Sequence, residues 1–255
     1  PDAIDHDKAL DETVVLADEV DRYASGFLSA VQVTGGNDIE LLMLAMAVRS
    51  INFFRGVKSM SREGLAQPAA SCLRSLLEQV WVFGAIANES TRDKAVERLI
   101  GNGEHSRSRG VKNLRKLRLD LRDPRITDEL LDGIEMDIDQ AIKHDLSEWA
   151  KLAQRVPEYL TSYARLCDQT HPSINSIEKH LVFNDLELVT SVTSKPDLGS
   201  LAINLNYGSS LMIDVIALCP KAWLTDLEIQ EAKELRSRVN SLWDRLPDQF
   251  PHEHD

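Results

Sequence analysis

An arginine and a histidine stand six positions apart in the run Tyr163-Ala-Arg165-Leu-Cys167-Asp168-Gln-Thr-His171-Pro172-Ser173, where one helical pattern stops and another begins. An imidazole exchanges a proton near neutral pH and a guanidinium holds a developing oxyanion, so Arg165 and His171 carry the minimum chemistry for cleaving a phosphodiester. Asp168, three residues before the histidine, is placed to orient one ring nitrogen, and Tyr163 and Ser173 flank the pair. On a straight helix Arg165 and His171 would lie about 120° apart around the axis and would not converge. Pro172 disfavours helix at His171, which sets the imidazole in a turn at a helix end, free to fold back toward Arg165, Asp168 or a partner chain. The same residues would serve equally well as a buried hydrogen-bonded corner.

A second charged pair, Arg74 and Glu78, lies one helical turn apart inside the apolar segment PAASCLRSLLEQVWVFGAIAN. Neighbours at this spacing meet on a helix face, either as a structural ion pair or as groups lining a site. Cys167, in the same corner as His171, is a nucleophile candidate, although a cysteine in an apolar helix is usually inert packing, and Cys72 and Cys219 have the same core character. The three cysteines lack C-x-x-C spacing, which argues against a disulfide framework or a zinc knuckle. The remaining histidines, His6, His105, His144, His180, His252 and His254, fall in polar or terminal contexts and are expected to be solvated, while the four tryptophans fall at apolar helical positions that suit core packing. Signatures of nucleotide-cofactor enzymes, zinc proteases and α/β-hydrolases do not occur, so no cofactor is expected.

Charge is distributed unevenly. Overall the 255-residue chain is acidic, with 41 Asp and Glu against 29 Lys and Arg for a net charge of −12, so its average surface repels nucleic acid and anionic membranes. One strip reverses that sign: Arg107, Arg109, Lys112, Arg115, Lys116, Arg118 and Arg122, interleaved with Leu114, Leu117 and Leu121, form a basic amphipathic helix. Asp128, Glu129, Asp132, Glu135, Asp137 and Asp139 come directly after it. The strip therefore either pairs within the molecule or meets an anionic partner such as RNA. Asp132, Glu135 and Asp139 share a helical face but lack the glycine and spacing of a calcium loop, and no metal site is expected.

The elements that must position these groups are helical. Hydrophobic residues make up 43% of the chain, aromatics only 5%, and there are just 12 glycines and 9 prolines, a balance favouring helices over sheets. Apolar periodicity predicts helices over 8–31, from Asp38 to before Gly64, over the core segment 68–88, and from a Ser90 or Thr91 cap onward with a polar interruption at Gly101-Asn-Gly103. Pro157 suits the first turn of a helix running to about Thr170, and Pro172 opens another predicted to continue through SINSIEKHLVF. Residues 185–196 are rich in β-branched types and suit a loop or short extended segment, and helices over 198–218 and 226–246 precede a flexible tail, 247–255. No linker or repeat divides the chain, so one domain over 1–255 is expected. No apolar run reaches transmembrane length and the acidic stretch PDAIDHDKALDE is unlike a targeting peptide, so a cytoplasmic protein without a membrane partner is expected.

Three segments carry a resemblance: LLMLAMAVRSINFFRGVKSM, AQPAASCLRSLLEQVWVFGAIAN and YARLCDQTHPSINSIEKHL. Over residues 40–185 they resemble an uncharacterised bacterial helical family of the domain-of-unknown-function 5677 type, in which an Arg-Ser-Leu-Leu-Glu helix precedes a Tyr-x-x-Leu-Ser/Cys-x-x-x-His-Pro/Gly-Ser corner. That family is in turn similar to the HEPN superfamily of helical bundles, many of them metal-independent ribonucleases or inactive relatives, often dimeric and tied to toxin–antitoxin or phage-defence systems. The link is an arginine and a histidine separated by four to six residues, here Arg165 and His171; the position after the arginine, usually polar in active members, is Leu166.

The resemblance implies an all-α, HEPN-like core with additional helices, a homodimer, and attack of a ribose 2′-hydroxyl on the adjacent phosphate with His171 moving the proton and Arg165 stabilising the phosphorane. The rival expectation is a non-catalytic helical module that binds another protein, with Arg74, Glu78, Arg165 and His171 forming a buried polar network.

Overall fold

The first helix, α1 (His6–Ala30), lies against α2 (Asp38–Arg62) through an ion ladder that fixes their antiparallel pairing. Lys58 reaches Asp18 at 2.9 Å and Asp21 at 2.6 Å, and Arg55 and Arg62 extend the ladder at either end. In this computed structural model the described residues are 6–32, 37–121, 127–136, 138, 141–171, 177–178, 180–184, 186 and 188–246, with their side chains except those of 6 and 117–121. Ser173, Arg122 and the tail 247–255 therefore lie outside the described residues, as does the side chain of Arg118.

The Asn37 side chain caps α2 by accepting from the Glu40 amide at 3.1 Å. The helix stops at Gly64, whose φ of +73° is a left-handed conformation that glycine tolerates best. The Leu65 amide returns to the Met60 carbonyl at 2.8 Å, closing the turn that reverses the chain into α3 (Ala66–Ala87). Two glycines let the core helices approach closely. A Cβ at Gly56 would stand 2.8 Å from Cys72 Sγ on α3, and one at Gly208 would stand 3.3 Å from Phe54.

After α3 come α4 (Arg92–Leu121), α5 (Asp128–Met136) and α6 (Leu146–Leu152), then α7 over residues 156–170. Within α7 an α-turn, Val156–Glu158, passes into a π-turn, Tyr159–Tyr163, and back to α-helix over Ala164–Thr170. A two-stranded antiparallel hairpin, β1 (Leu181–Phe183) with β2 (Val189–Val192), precedes α8 (Leu198–Ala217) and α9 (Asp226–Trp243). Helices α1, α2, α3 and α8 form the central bundle around Leu16, Val20, Phe54, Leu73, Leu77, Trp81 and Met212. Both α3 and α8 are buried along most of their length, α9 closes one side, and α4, α6 and α7 pack on α3. The expected all-α architecture is thus observed, as nine helices and one small hairpin among the described residues.

Three local expectations are corrected. Gly101-Asn-Gly103 does not interrupt a helix, because α4 runs straight through it. Gly101 is small because Ile142 lies on it, a Cβ there falling 2.6 Å from Ile142 Cγ1, and the Ile142 amide donates to the Gly101 carbonyl at 2.9 Å. The Thr91 hydroxyl donates backward to the Ala85 carbonyl of α3 at 2.7 Å, and Ser90 Oγ donates to the Asn88 side chain at 2.8 Å, so neither caps α4 in the expected way. Residues 181–183 form a strand where the pattern opened by Pro172 predicted helix, since Leu-Val-Phe pairs with the β-branched run Val189–Val192.

A polar network docks α7 onto the bundle. Glu158 is only 8% exposed; its carboxylate accepts from Trp81 Nε1 at 3.0 Å and from Arg155 Nη1 at 2.7 Å. Arg155 Nη2 then reaches Asp214 on α8 at 2.7 Å, and Asp214 also pairs with Arg236 on α9. Burial works against charge on Arg155, but Asp214 and Glu158 outweigh it and raise the guanidinium pKa. Beside this network Tyr159 and Tyr163, stacked 5.6 Å apart, pack on the ring of Trp81.

Three substitutions check this packing. Gly103 has open space around it, so Gly103→Ala is expected to gain about 0.5–1 kcal/mol of stability in urea unfolding through helix propensity. Gly101→Ala, forced against Ile142, is expected to lose about 1 kcal/mol or more. Glu158→Leu, which leaves Trp81 Nε1 and one side of Arg155 without an acceptor, is expected to cost about 2–3 kcal/mol in the same assay.

Candidate functional site

The π-turn and the extended backbone of His171 together decide where the corner's side chains point. A π-turn adds a residue to one helical turn and shifts the face presented by the helix beyond it. Tyr163 is therefore buried against Trp81 while Leu166 enters the core, fully buried. At the end of α7 the His171 amide still donates to the Cys167 carbonyl at 2.9 Å, but the residue itself has φ −88° and ψ 147°, the extended geometry expected before a proline. The imidazole leaves the helix and is solvent-exposed.

One of its contacts lies across on α3. Arg74 Nη1 stands 3.2 Å from His171 Nε2 and 3.4 Å from Thr170 Oγ1, while Arg74 Nε donates to Glu78 at 3.1 Å and the guanidinium carbon lies 5.0 Å from the centre of the Tyr163 ring. A guanidinium only donates, so in this contact His171 Nε2 accepts and the neutral ring carries its hydrogen on Nδ1. Partial burial opposes the charge of Arg74, yet Tyr163, Cys167 and Glu78 together raise its pKa above the ordinary value. Burial, and then the negative charge of Glu78, push the Tyr163 hydroxyl well above the usual phenol range.

The structure thus joins two features that stood apart in the sequence, Arg74 with Glu78 and Tyr163 with His171. Arg165, half-buried on α7, has its pKa lowered by burial, and Asp168 is exposed on the same helix. The Arg74–His171 contact, which the expectation of a polar network had grouped with Glu78 and Arg165, spans 97 positions, and no local spacing gives its geometry.

An open groove of ≈670 Å3 runs beside this corner. It is lined by Gln67, Ser71 and Cys72 of α3, by Thr170 and His171 at the end of α7, and by Ile177 and His180. Cys72 has its pKa raised by burial, and Cys219, buried elsewhere, is pushed up to about 12, so neither is poised as a thiolate.

On the basic strip Arg107, Arg109, Lys112 and Lys116 are exposed. Arg115 instead turns to α5, 2.6 Å from Asp132 and 2.7 Å from Glu135, and Arg107 also pairs with Glu104. No helix among the described residues is long and apolar enough to cross a membrane.

No curated protein matches the chain, and no solved structure does. The model of DUF5677, a family of unknown function, matches residues 40–187, a span that holds nearly all of α2, with α3, the α7 corner and the residues lining the groove. With more than half of its length matched, the chain belongs to the DUF5677 family.

Proposed function

We propose that this protein is a HEPN-like helical effector that cleaves RNA by internal transesterification, with His171 as proton acceptor and Arg74 as the cation that holds the phosphate. The observation that supports this reading most is the 3.2 Å contact between Arg74 and an exposed His171 on the rim of an open groove. A phosphate entering the groove offers Arg74 a charged acceptor in place of the ring nitrogen. His171 Nε2 is then released to take the proton of a ribose 2′-hydroxyl, whose oxygen attacks the adjacent phosphorus. The guanidinium stabilises the phosphorane, and departure of the 5′-oxygen leaves a 2′,3′-cyclic phosphate and a 5′-hydroxyl.

Arg74 takes here the charge-holding role that local spacing assigned to Arg165, and Glu78 and Tyr163 keep its guanidinium in place. The exposed cations Arg107, Arg109, Lys112 and Lys116 are suited to contact an RNA backbone, in spite of the acidic average of the chain.

Mixed RNA incubated with the protein in a chelator tests the reading. The wild-type protein is expected to produce cyclic-phosphate ends, His171→Ala to lose about 10²–10⁴-fold of the rate, and Arg74→Ala about 10²–10³-fold. Arg165→Ala is expected to lose less than either. Equal RNA integrity with wild type and variants would contradict a nuclease and favour the protein-binding module, in which Arg74 and His171 only brace α7 against α3.

A further inference from the structure

His171 supplies one proton transfer, yet the transesterification needs two. The 2′-hydroxyl must lose a proton and the departing 5′-oxygen must gain one. The lining of the same groove includes a second imidazole, His180, which the sequence pattern marks only as a solvated side chain.

His180 is held in place for a surface residue. Its amide donates to the Ile177 carbonyl at 2.9 Å, and its own carbonyl accepts from the Thr193 amide at 2.8 Å, where the chain enters and leaves the β1–β2 hairpin. Its ring closes the same junction, with Nδ1 3.3 Å from the Thr193 carbonyl. A carbonyl only accepts, so Nδ1 carries a hydrogen and Nε2 is the position that gains or loses a proton. Among the described residues nothing hydrogen-bonds to Nε2, and the side chain is exposed on the groove. This is how oriented catalytic histidines are commonly arranged, one nitrogen tied to the scaffold and the other offered to the reacting group.

We infer that His180 is the general acid of this site, donating the Nε2 proton to the leaving 5′-oxygen of an RNA strand seated between it and His171. The inference rests on the proposed cleavage reaction. In one step the 2′-oxygen bonds to phosphorus as its proton passes to His171 Nε2, and the bond from phosphorus to the 5′-oxygen breaks as that oxygen takes the proton of His180. Exchange with water restores both rings. The two rings are set up for different roles by their contacts: Arg74 donates into Nε2 of His171, so that nitrogen is an acceptor, while the Thr193 carbonyl holds the Nδ1 hydrogen of His180 and leaves its Nε2 facing the groove.

The test compares two substrates that differ only in their need for an acid: an RNA dinucleotide, and a uridine 3′-phosphate ester of p-nitrophenol, whose leaving group departs without protonation. On the dinucleotide, His180→Ala is expected to lose about 10²-fold or more of kcat/KM and the alkaline limb of the pH profile. On the aryl ester it is expected to stay within about threefold of wild type, whereas His171→Ala fails on both. His180→Ala with wild-type rates on both substrates would overturn the role of His180 while leaving the cleavage reading intact. An equal loss on both substrates would reduce His180 to a structural or binding residue. No turnover of either substrate by the wild-type protein would remove the cleavage reading and this inference together.

Discussion

The buried carboxylate of Glu158 is the constraint on which the candidate site depends. A carboxylate this removed from water is tolerated only if its oxygens are matched, and here Trp81 satisfies one and Arg155 the other. Those bonds tie α7 to α3, and Arg155 carries the tie through Asp214 to α8 and α9. The start of α7 is thereby pinned, and the π-turn immediately after it sets the angle at which the rest of the helix meets α3. Every distance between Arg74 and the end of α7 depends on that anchorage.

The site is built from a rigid helix on one side and a helix end on the other. Arg74 projects from the middle of the bundle, where Glu78 and the ring of Tyr163 restrict it, so its charge is held in place before any ligand arrives. His171 stands where the helix has stopped, with its ring in water. A fixed cation beside an accessible base is preorganisation of the sort that makes electrostatic stabilisation effective. The acidic average of the surface does not decide the local field, because exposed Arg109, Lys112 and Lys116 cluster on one helix.

Much of the fold was legible because helical periodicity is a local property. The ends of α2 and α7 could be read from Gly64 and Pro172, whose backbone preferences act within a few residues. Misreadings occurred where tertiary packing overrides a local signal. Gly101 looks like a helix breaker, yet its lack of a side chain makes room for Ile142, and Leu181 to Phe183 look like the continuation of a helix until Val189 to Val192 offer them a partner strand. For the site, the pieces are visible in the sequence and their geometry is not. Arg74, Glu78, Tyr163 and His171 each stand out by type and context, and a network of Arg74, Glu78, Arg165 and His171 is one of the two expectations, but one sequence gives neither the 3.2 Å approach of Arg74 to His171 nor its direction. The π-turn, which directs the end of α7 toward Arg74, has no recognisable pattern in Tyr-Leu-Thr-Ser-Tyr.

The central claim is that Arg74 donates to Nε2 of His171, leaving that ring neutral with its hydrogen on Nδ1. Long-range proton–nitrogen correlation spectra of the imidazoles, recorded on wild type and on Arg74→Gln at a pH where the rings are neutral, test it most directly. The account predicts that His171 in the wild-type protein is the Nδ1–H tautomer and shifts toward the Nε2–H form, the commoner one for a free imidazole, when the guanidinium is removed. A His171 already in the Nε2–H form, with the same spectrum in both proteins, would contradict it.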